Sequence, residues 1–115
     1  VNVYLRTFGC RANQYDTEVV RAMVEASGHA VVESIDEADT AVFNSCAVTT
    51  EAEAELRKVV RRAARRRPGL RSVVMGCAAA LDDGRPAALQ LRALPTVDRV
   101  IGGADLPAIA AALDL

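Results

Sequence analysis

Three cysteines, Cys10, Cys46 and Cys77, are the residues of this 115-residue chain best suited to chemistry. Thiolates bind soft metals and iron–sulfur clusters, and they attack electrophiles. Each cysteine sits where an apolar, strand-like run stops. Cys10 follows Val3-Tyr4-Leu5-Arg6-Thr7-Phe8-Gly9, Cys46 follows Thr40-Ala41-Val42-Phe43-Asn44-Ser45, and Cys77 follows Val73-Val74-Met75-Gly76. If these runs are parallel strands, their carboxyl ends share one sheet edge, the edge at which open α/β sheets bind ligands. Cysteines far apart in sequence then meet at one point.

An iron–sulfur cubane held by three protein thiolates leaves one iron open to an exogenous ligand, much as catalytic zinc sites keep an open position. The flanking residues suit such a core. Gly9 precedes Cys10, Gly76 precedes Cys77, Ala47 follows Cys46, and Ala78 and Ala79 follow Cys77, so backbone can approach closely and donate N–H groups to sulfide. Asn44, Ser45 and Thr49 add side-chain donors. Two other readings stand beside this one. The cysteines are buried small hydrophobes, or they hold a zinc ion that lacks its usual fourth ligand. The single histidine, His29, precedes the second strand at the opposite edge and reads as a solvent-facing turn residue.

Other chemistries lack their residues. A cysteine phosphatase needs Cys, five residues, then Arg, but Asp16 stands at that distance from Cys10 and Ala52 from Cys46. One histidine, misplaced, makes no Ser-His-Asp set, and no Gly-rich phosphate loop is present.

The elements that must position the cysteines follow from periodicity and punctuation. Residues 2–8 read as the first strand and 9–14 as a loop. Asp16 reads as the N-cap of a helix over 17–27, with Val20, Met23, Val24 and Ser27 on one face and Gly28 as its stop. Residues 30–33 form a short second strand, 34–39 an acidic loop, and 40–45 a third strand whose unbroken apolar run suits burial on both faces. Thr50-Glu51-Ala52-Glu53 fits a capping box. The helix it opens runs to Arg67, with Leu56, Val59, Val60 and Ala63 as its apolar stripe and Pro68-Gly69 as its end. A fourth strand spans 71–76. Residues 78–94 are expected to be helical in their later part, with a break near Asp83-Gly84 and Pro86. A fifth strand spans 98–101, and Asp105 caps a last helix with Pro107 in its first turn.

This βαββαβαβα alternation predicts an α/β fold: a flavodoxin-like, doubly wound, five-stranded, mostly parallel sheet with helices on both faces. The cysteines choose the strand order. Neighbouring strands lie about 4.8 Å apart. In the order 2-1-3-4-5 the three cysteine-bearing strands are contiguous; in the order 3-2-1-4-5 Cys46 is stranded. A shared ligand therefore predicts 2-1-3-4-5.

Lys58, Arg61, Arg62 and Arg65 share the face of the second long helix opposite its apolar stripe, and Arg66, Arg67 and Arg71 extend it. Such a row suits phosphates, though an ordinary solvated face is the plainer reading, and no aromatics interleave it for base stacking. The net charge of −1 gives no global nucleic-acid signature. The chain has one domain's length. With 51% hydrophobic but only 3% aromatic residues, its core must be built from Ala, Val, Leu and Ile. No apolar run nears the roughly 18 residues of a membrane span, no signal-peptide pattern precedes the first strand, and an odd, sparse set of cysteines is no disulfide framework. A reducing cytoplasm is expected. With no Met at its start and a helix-like stretch at its end, the chain is expected to be a piece of a longer protein.

The cysteine segments resemble those of a known family. Gly9-Cys10-Arg11-Ala12-Asn13-Gln14-Tyr15-Asp16-Thr17-Glu18 resembles the G-C-x-x-N-x-x-D-S/T-E segment that opens the radical SAM methylthiotransferases. Asn44-Ser45-Cys46-Ala47-Val48-Thr49 resembles their N-T-C-x-V-T, with Ser45 for the usual Thr. Gly76-Cys77-Ala78-Ala79 resembles their G-C-x-A, and Val97-Asp98-Arg99-Val100-Ile101-Gly102 their V-D-x-V-x-G. The likeness runs from Val3 to about Leu113.

The resemblance implies that residues 1–115 are the N-terminal domain, with the radical SAM and RNA-binding domains outside this chain. It implies that Cys10, Cys46 and Cys77 hold an auxiliary 4Fe–4S cluster whose open iron takes the sulfur that becomes the methylthio group. A second 4Fe–4S cluster, which cleaves S-adenosylmethionine, belongs to the radical SAM domain, and its C-x-x-x-C-x-x-C motif is absent here. The domain alone is then not expected to be active. Asn13-Gln14-Tyr15-Asp16 is most like the members acting on threonylcarbamoyladenosine beside the tRNA anticodon. The members acting on isopentenyladenosine tend to have Glu at the position of Gln14, and those acting on a ribosomal protein depart from the Asn and Tyr. Asn13, Gln14, Asn44 and Thr49 are the expected substrate or cluster-environment residues, and Arg61, Arg62 and Arg65 the possible RNA contacts. The expected partners are tRNA, the companion domains and a sulfur donor, with no membrane. The alternative from another class is a non-catalytic flavodoxin-like module that docks RNA or a partner through its basic helix.

Overall fold

Two strands are buried on both faces, and that sets the architecture. β3 (Thr40–Ser45) is buried at every residue and β4 (Arg71–Gly76) at all but Arg71. Strands of this kind need cover above and below. β1 (Asn2–Thr7), β2 (Ala30–Val32) and β5 (Val97–Gly102) complete a parallel five-stranded sheet in the order β2-β1-β3-β4-β5. This is the order that a shared cysteine ligand predicts. The computed structural model describes residues 2–8, 11–45, 50–84, 86–87, 90–103 and 105–113, with 11–13, 50 and 83 as backbone only.

Alternation along the strands divides the core in two. Val3, Val42, Val73 and Met75 face α1 (Arg11–Ala26) and α4 (Leu106–Ala112), where Val20, Val24 and Ile109 meet them. Phe43 and Val74 face the other way, against Leu56, Val59, Val60 and Ala63 of α2 (Thr50–Arg66). These four are the stripe read from the sequence. α4 is capped as expected, Asp105 accepting from the Ala108 N–H at 3.2 Å.

Three expectations about α1 need correction. α1 begins at Arg11, so residues 11–14 are helix rather than loop, and Asp16 lies inside the helix rather than at its cap. The Asp16-Thr17 pair looked like a start because both types cap helices. Thr17 is instead 7% exposed and holds two strand ends from within the helix. Ser27 is exposed, so the buried face ends with Val24.

The 34–39 loop contains a 3-10 turn, Ile35–Glu37, capped by the Ser34 hydroxyl. Between β4 and β5 the helical part comes first, as α3 (Cys77–Ala80), and among the described residues 3-10 turns follow it. The fully buried Asp82 explains the second half. Its carboxylate accepts from the Leu91 N–H at 2.5 Å and from Arg92 Nε at 3.1 Å, closing the segment as a compact loop.

Candidate metal centre at the carboxyl edge of the sheet

The carboxyl ends of β1, β3 and β4 lie side by side. Thr7 pairs with Asn44, Asn44 with Met75, and Ser45 with Gly76. The ladder extends one residue past β1, since the Phe8 N–H donates to Asn44 O at 2.8 Å. Ser45 directly precedes Cys46, and Gly76 directly precedes Cys77. Cys77 opens α3 as an exposed free thiol. Cys10, Cys46 and Thr49 lie outside the described residues, as does the side chain of Asn13. Among the described residues no three His, Cys, Asp or Glu side chains gather around a common point.

Gly76 shows how tightly the strand ends close. Its φ is +98°, a region L side chains rarely adopt. A Cβ there would sit 2.5 Å from Ser45 O and 2.7 Å from Asn44 Oδ1. No side chain fits between β3 and β4 at this level. Gly76 also exchanges two backbone hydrogen bonds with Gly103, at 3.0 and 3.1 Å, which draws the end of β5 over the end of β4.

Beneath the edge, hydroxyl and amide groups lock the elements together. Thr7 Oγ1 donates to Thr17 Oγ1 at 2.7 Å, and Asn44 Nδ2 donates to the same oxygen at 3.1 Å. One buried hydroxyl of α1 thus ties β1 to β3. Ser45 Oγ donates to Met75 O at 2.5 Å and accepts from the Ala79 N–H at 3.4 Å, tying β3 to β4 and α3. Asn44 and Ser45 are 1% and 0% exposed, so both side chains act under the edge rather than on it. Gln14 is exposed on the second turn of α1, next to Tyr15, which is 70% exposed. Sequence reading missed Thr7 and Thr17. The signal was a threonine ending a strand run and another in the D-T-E triplet.

The residues described fit a thiolate-held cluster. Cys77 presents an accessible thiol at the edge, glycine allows the closest backbone approach beside it, and the residue before Cys46 is the register partner of the residue before Cys77.

The basic helix divides in two. Lys58, Arg61, Arg62 and Arg65 are exposed, as expected. Arg66, Arg67 and Arg71 do not extend their row. Arg66 clasps the Asp36 carboxylate with Nε and Nη2, Arg67 donates to the Asp36 carbonyl, and Arg71 pairs with Asp98 at 3.1 Å and with Ala112 O at 2.7 Å. Local acceptors on the 3-10 turn and at the β5–α4 side take these three. No helix among the described residues is long and apolar enough to cross a membrane.

Comparison with known proteins decides the family. A family model described as "Uncharacterized protein family UPF0004" matches residues 2–102. The chain belongs to this family. Its named relatives are tRNA methylthiotransferases, in agreement with the cysteine motifs. A threonylcarbamoyladenosine tRNA methylthiotransferase MtaB of Rickettsia prowazekii is 42% identical over 73 residues, 64% of this chain and 15% of that protein. The MtaB of Bacillus subtilis is 33% identical over 103 residues, 90% of this chain and 22% of its own length. A tRNA-2-methylthio-N(6)-dimethylallyladenosine synthase of Deinococcus radiodurans is 35% identical over 117 residues, 99% of this chain and 22% of that protein. The chain thus spans less than a quarter of each of these three relatives.

Proposed function

We propose that this chain is the auxiliary-cluster domain of a tRNA methylthiotransferase. Cys10, Cys46 and Cys77 would hold a 4Fe–4S cluster at the carboxyl edge of the sheet. When bound, that cluster supplies an open iron at which sulfur for the methylthio group is held. The observation that carries the reading is the strand order β2-β1-β3-β4-β5, which makes the three cysteine-bearing strands neighbours within a family whose named relatives modify tRNA.

The chain's own residues then have distinct tasks. Gly76 lets the ends of β3 and β4 close to backbone contact, Thr17 fixes α1 against both Thr7 and Asn44, and Ser45 anchors the first turn of α3, which Cys77 opens. Asn13, Gln14 and Thr49 belong to the substrate or cluster surroundings, and Asn44 supports them from beneath. The substrate is a modified adenosine beside the anticodon, N6-threonylcarbamoyladenosine by the Asn13-Gln14-Tyr15-Asp16 segment and by the 42% identity of one such relative. An isopentenyladenosine-type tRNA is the second reading, favoured by relatives that match nearly the whole chain; a ribosomal-protein substrate is the third. The companion radical SAM and RNA-binding domains, the second cluster, S-adenosylmethionine and the sulfur donor belong to the longer protein, which would work in the cytoplasm.

The test uses the full-length enzyme. Cys10→Ala, Cys46→Ala and Cys77→Ala should each abolish methylthiolation while leaving S-adenosylmethionine cleavage largely intact. Full product formation by the triple variant would sink the reading. It would leave the non-catalytic module, whose RNA binding is indifferent to the cysteines.

A further inference from the structure

A groove of about 170 Å³ opens on the α2 face of the sheet, away from the cysteine edge. Its lining is Tyr4 and Arg6 of β1, Ile35 of the 3-10 turn, and Val59, Arg62, Ala63 and Arg66 of α2. It exists because α2 packs over β3 and β4, where Phe43, Val60 and Val74 are buried, while on β1 Tyr4 stays partly exposed and Arg6 exposed. The floor is apolar and three guanidinium groups stand around it.

The three arginines are not equivalent. Arg66 is committed to Asp36. Arg6 lies over the Phe8 ring at 5.3 Å, which orients its plane without neutralising its charge. Neither Arg6 nor Arg62 has an ion pair among the described residues. Like charges lining a concavity above apolar walls concentrate positive potential in it. An anion seated there relieves the repulsion between them, and guanidinium forks match phosphate oxygens.

We propose that this groove binds a phosphodiester of an RNA strand, an inference that rests on the reading of the chain as part of an RNA-modifying enzyme. Two features favour a polymer over a small free anion. The groove is smaller than the roughly 300 Å³ at which ligand pockets begin, so it holds a phosphate and the edge of a ribose rather than a whole nucleotide. Arg62 is also continuous with Lys58, Arg61 and Arg65 on the exposed face of the same helix, a cationic track that a single anion has no use for. Contacts of this kind fix the register of a strand without reading its sequence. Arg6 was invisible as a site residue in the sequence, because a lone arginine within a strand run reads as an ordinary solvent-facing residue.

The test is fluorescence anisotropy of a labelled anticodon stem–loop RNA with the 115-residue chain, from 50 to 200 mM KCl. The unmodified chain should bind in a salt-dependent way. Arg6→Gln and Arg62→Gln should each weaken binding about three- to tenfold and lower the logarithmic salt slope by about 0.7. Arg62→Lys should recover part of the affinity, and Arg99→Gln, on the far strand β5, should change nothing. Circular dichroism checks that each variant is folded. Absence of salt-dependent binding by the unmodified chain, or unchanged affinity in the Arg6→Gln/Arg62→Gln double variant, would overturn the proposal. So would displacement of the RNA by millimolar inorganic phosphate at constant ionic strength, which would assign the groove to a small anion. Iron loading is independent of these arginines, so a failure here leaves the cluster reading standing, and a failure of iron loading leaves this result standing.

Discussion

Ser45 and Gly76 are register partners at the carboxyl ends of neighbouring parallel strands, and each is followed directly by a cysteine. The pairing depends on glycine, because a Cβ at position 76 would fall 2.5 Å from Ser45 O. Gly76→Ala combines the cost of a backbone conformation that is essentially restricted to glycine, φ +98° and ψ −160°, about 1–3 kcal/mol, with overpacking of about 1–3 kcal/mol. The expected loss is about 2–6 kcal/mol, read from urea unfolding at unchanged m-value. A loss below about 0.5 kcal/mol would show that the two strand ends are not held this closely.

Thr17 joins α1 to two strands through one oxygen, with Thr7 at 2.7 Å and Asn44 at 3.1 Å. Thr17→Val keeps the shape and removes the hydroxyl, leaving buried polar partners behind. Such a change costs about 1–3 kcal/mol. Thr17→Ser keeps the hydroxyl and should retain most of that stability. Equal unfolding midpoints for the Val variant and the unmodified chain would contradict the network.

Asp82 is fully buried and satisfied by the Leu91 N–H and Arg92. Asp82→Ala is expected to cost about 1–3 kcal/mol, since it strands the buried Leu91 N–H. Arg92→Ala should cost less, because the Arg92 side chain is 53% exposed and its charge is screened. Hydrogen exchange of the Leu91 amide should rise sharply in the Asp82 variant and only slightly in the Arg92 variant. The reverse ranking would contradict this account.

Asp36 holds Arg66 at the rim of the Tyr4–Arg6–Arg62 groove. The pair is exposed, so breaking it costs under about 1 kcal/mol of stability. Asp36→Asn removes the carboxylate that holds Arg66 and frees its guanidinium. RNA affinity at 50 mM KCl is therefore expected to rise two- to threefold by anisotropy, with a steeper salt slope. Unchanged or weaker binding would mean that Arg66 does not face the bound strand.

The strand order and the α2 stripe were legible in the sequence for physical reasons. Apolar runs with glycine or cysteine at their ends mark parallel strands, and Leu56, Val59, Val60 and Ala63 follow helical spacing without interruption. The start of α1 was misplaced because Asp16 and Thr17 are cap-forming types, and only the three-dimensional neighbours of Thr17 reveal that its hydroxyl serves the sheet. The 78–94 stretch was misread because one buried carboxylate, Asp82, organises it, and a single charged residue leaves no periodic signal. Arg66, Arg67 and Arg71 looked like their neighbours in α2 because their partners, Asp36 and Asp98, are remote in sequence. Cys10 and Cys46 lie outside the described residues, so their part rests on the strand ends that precede them.

Whether three thiolates at one sheet edge hold a cluster is decided by anaerobic reconstitution of this chain with iron and sulfide, followed by iron and sulfide counting and Mössbauer spectroscopy. About four irons and four sulfides per chain are expected, lost on replacing any one of Cys10, Cys46 or Cys77 by Ala. Failure to retain iron, a preference for a single zinc ion, or a cluster that survives all three substitutions would contradict cluster binding by these thiolates.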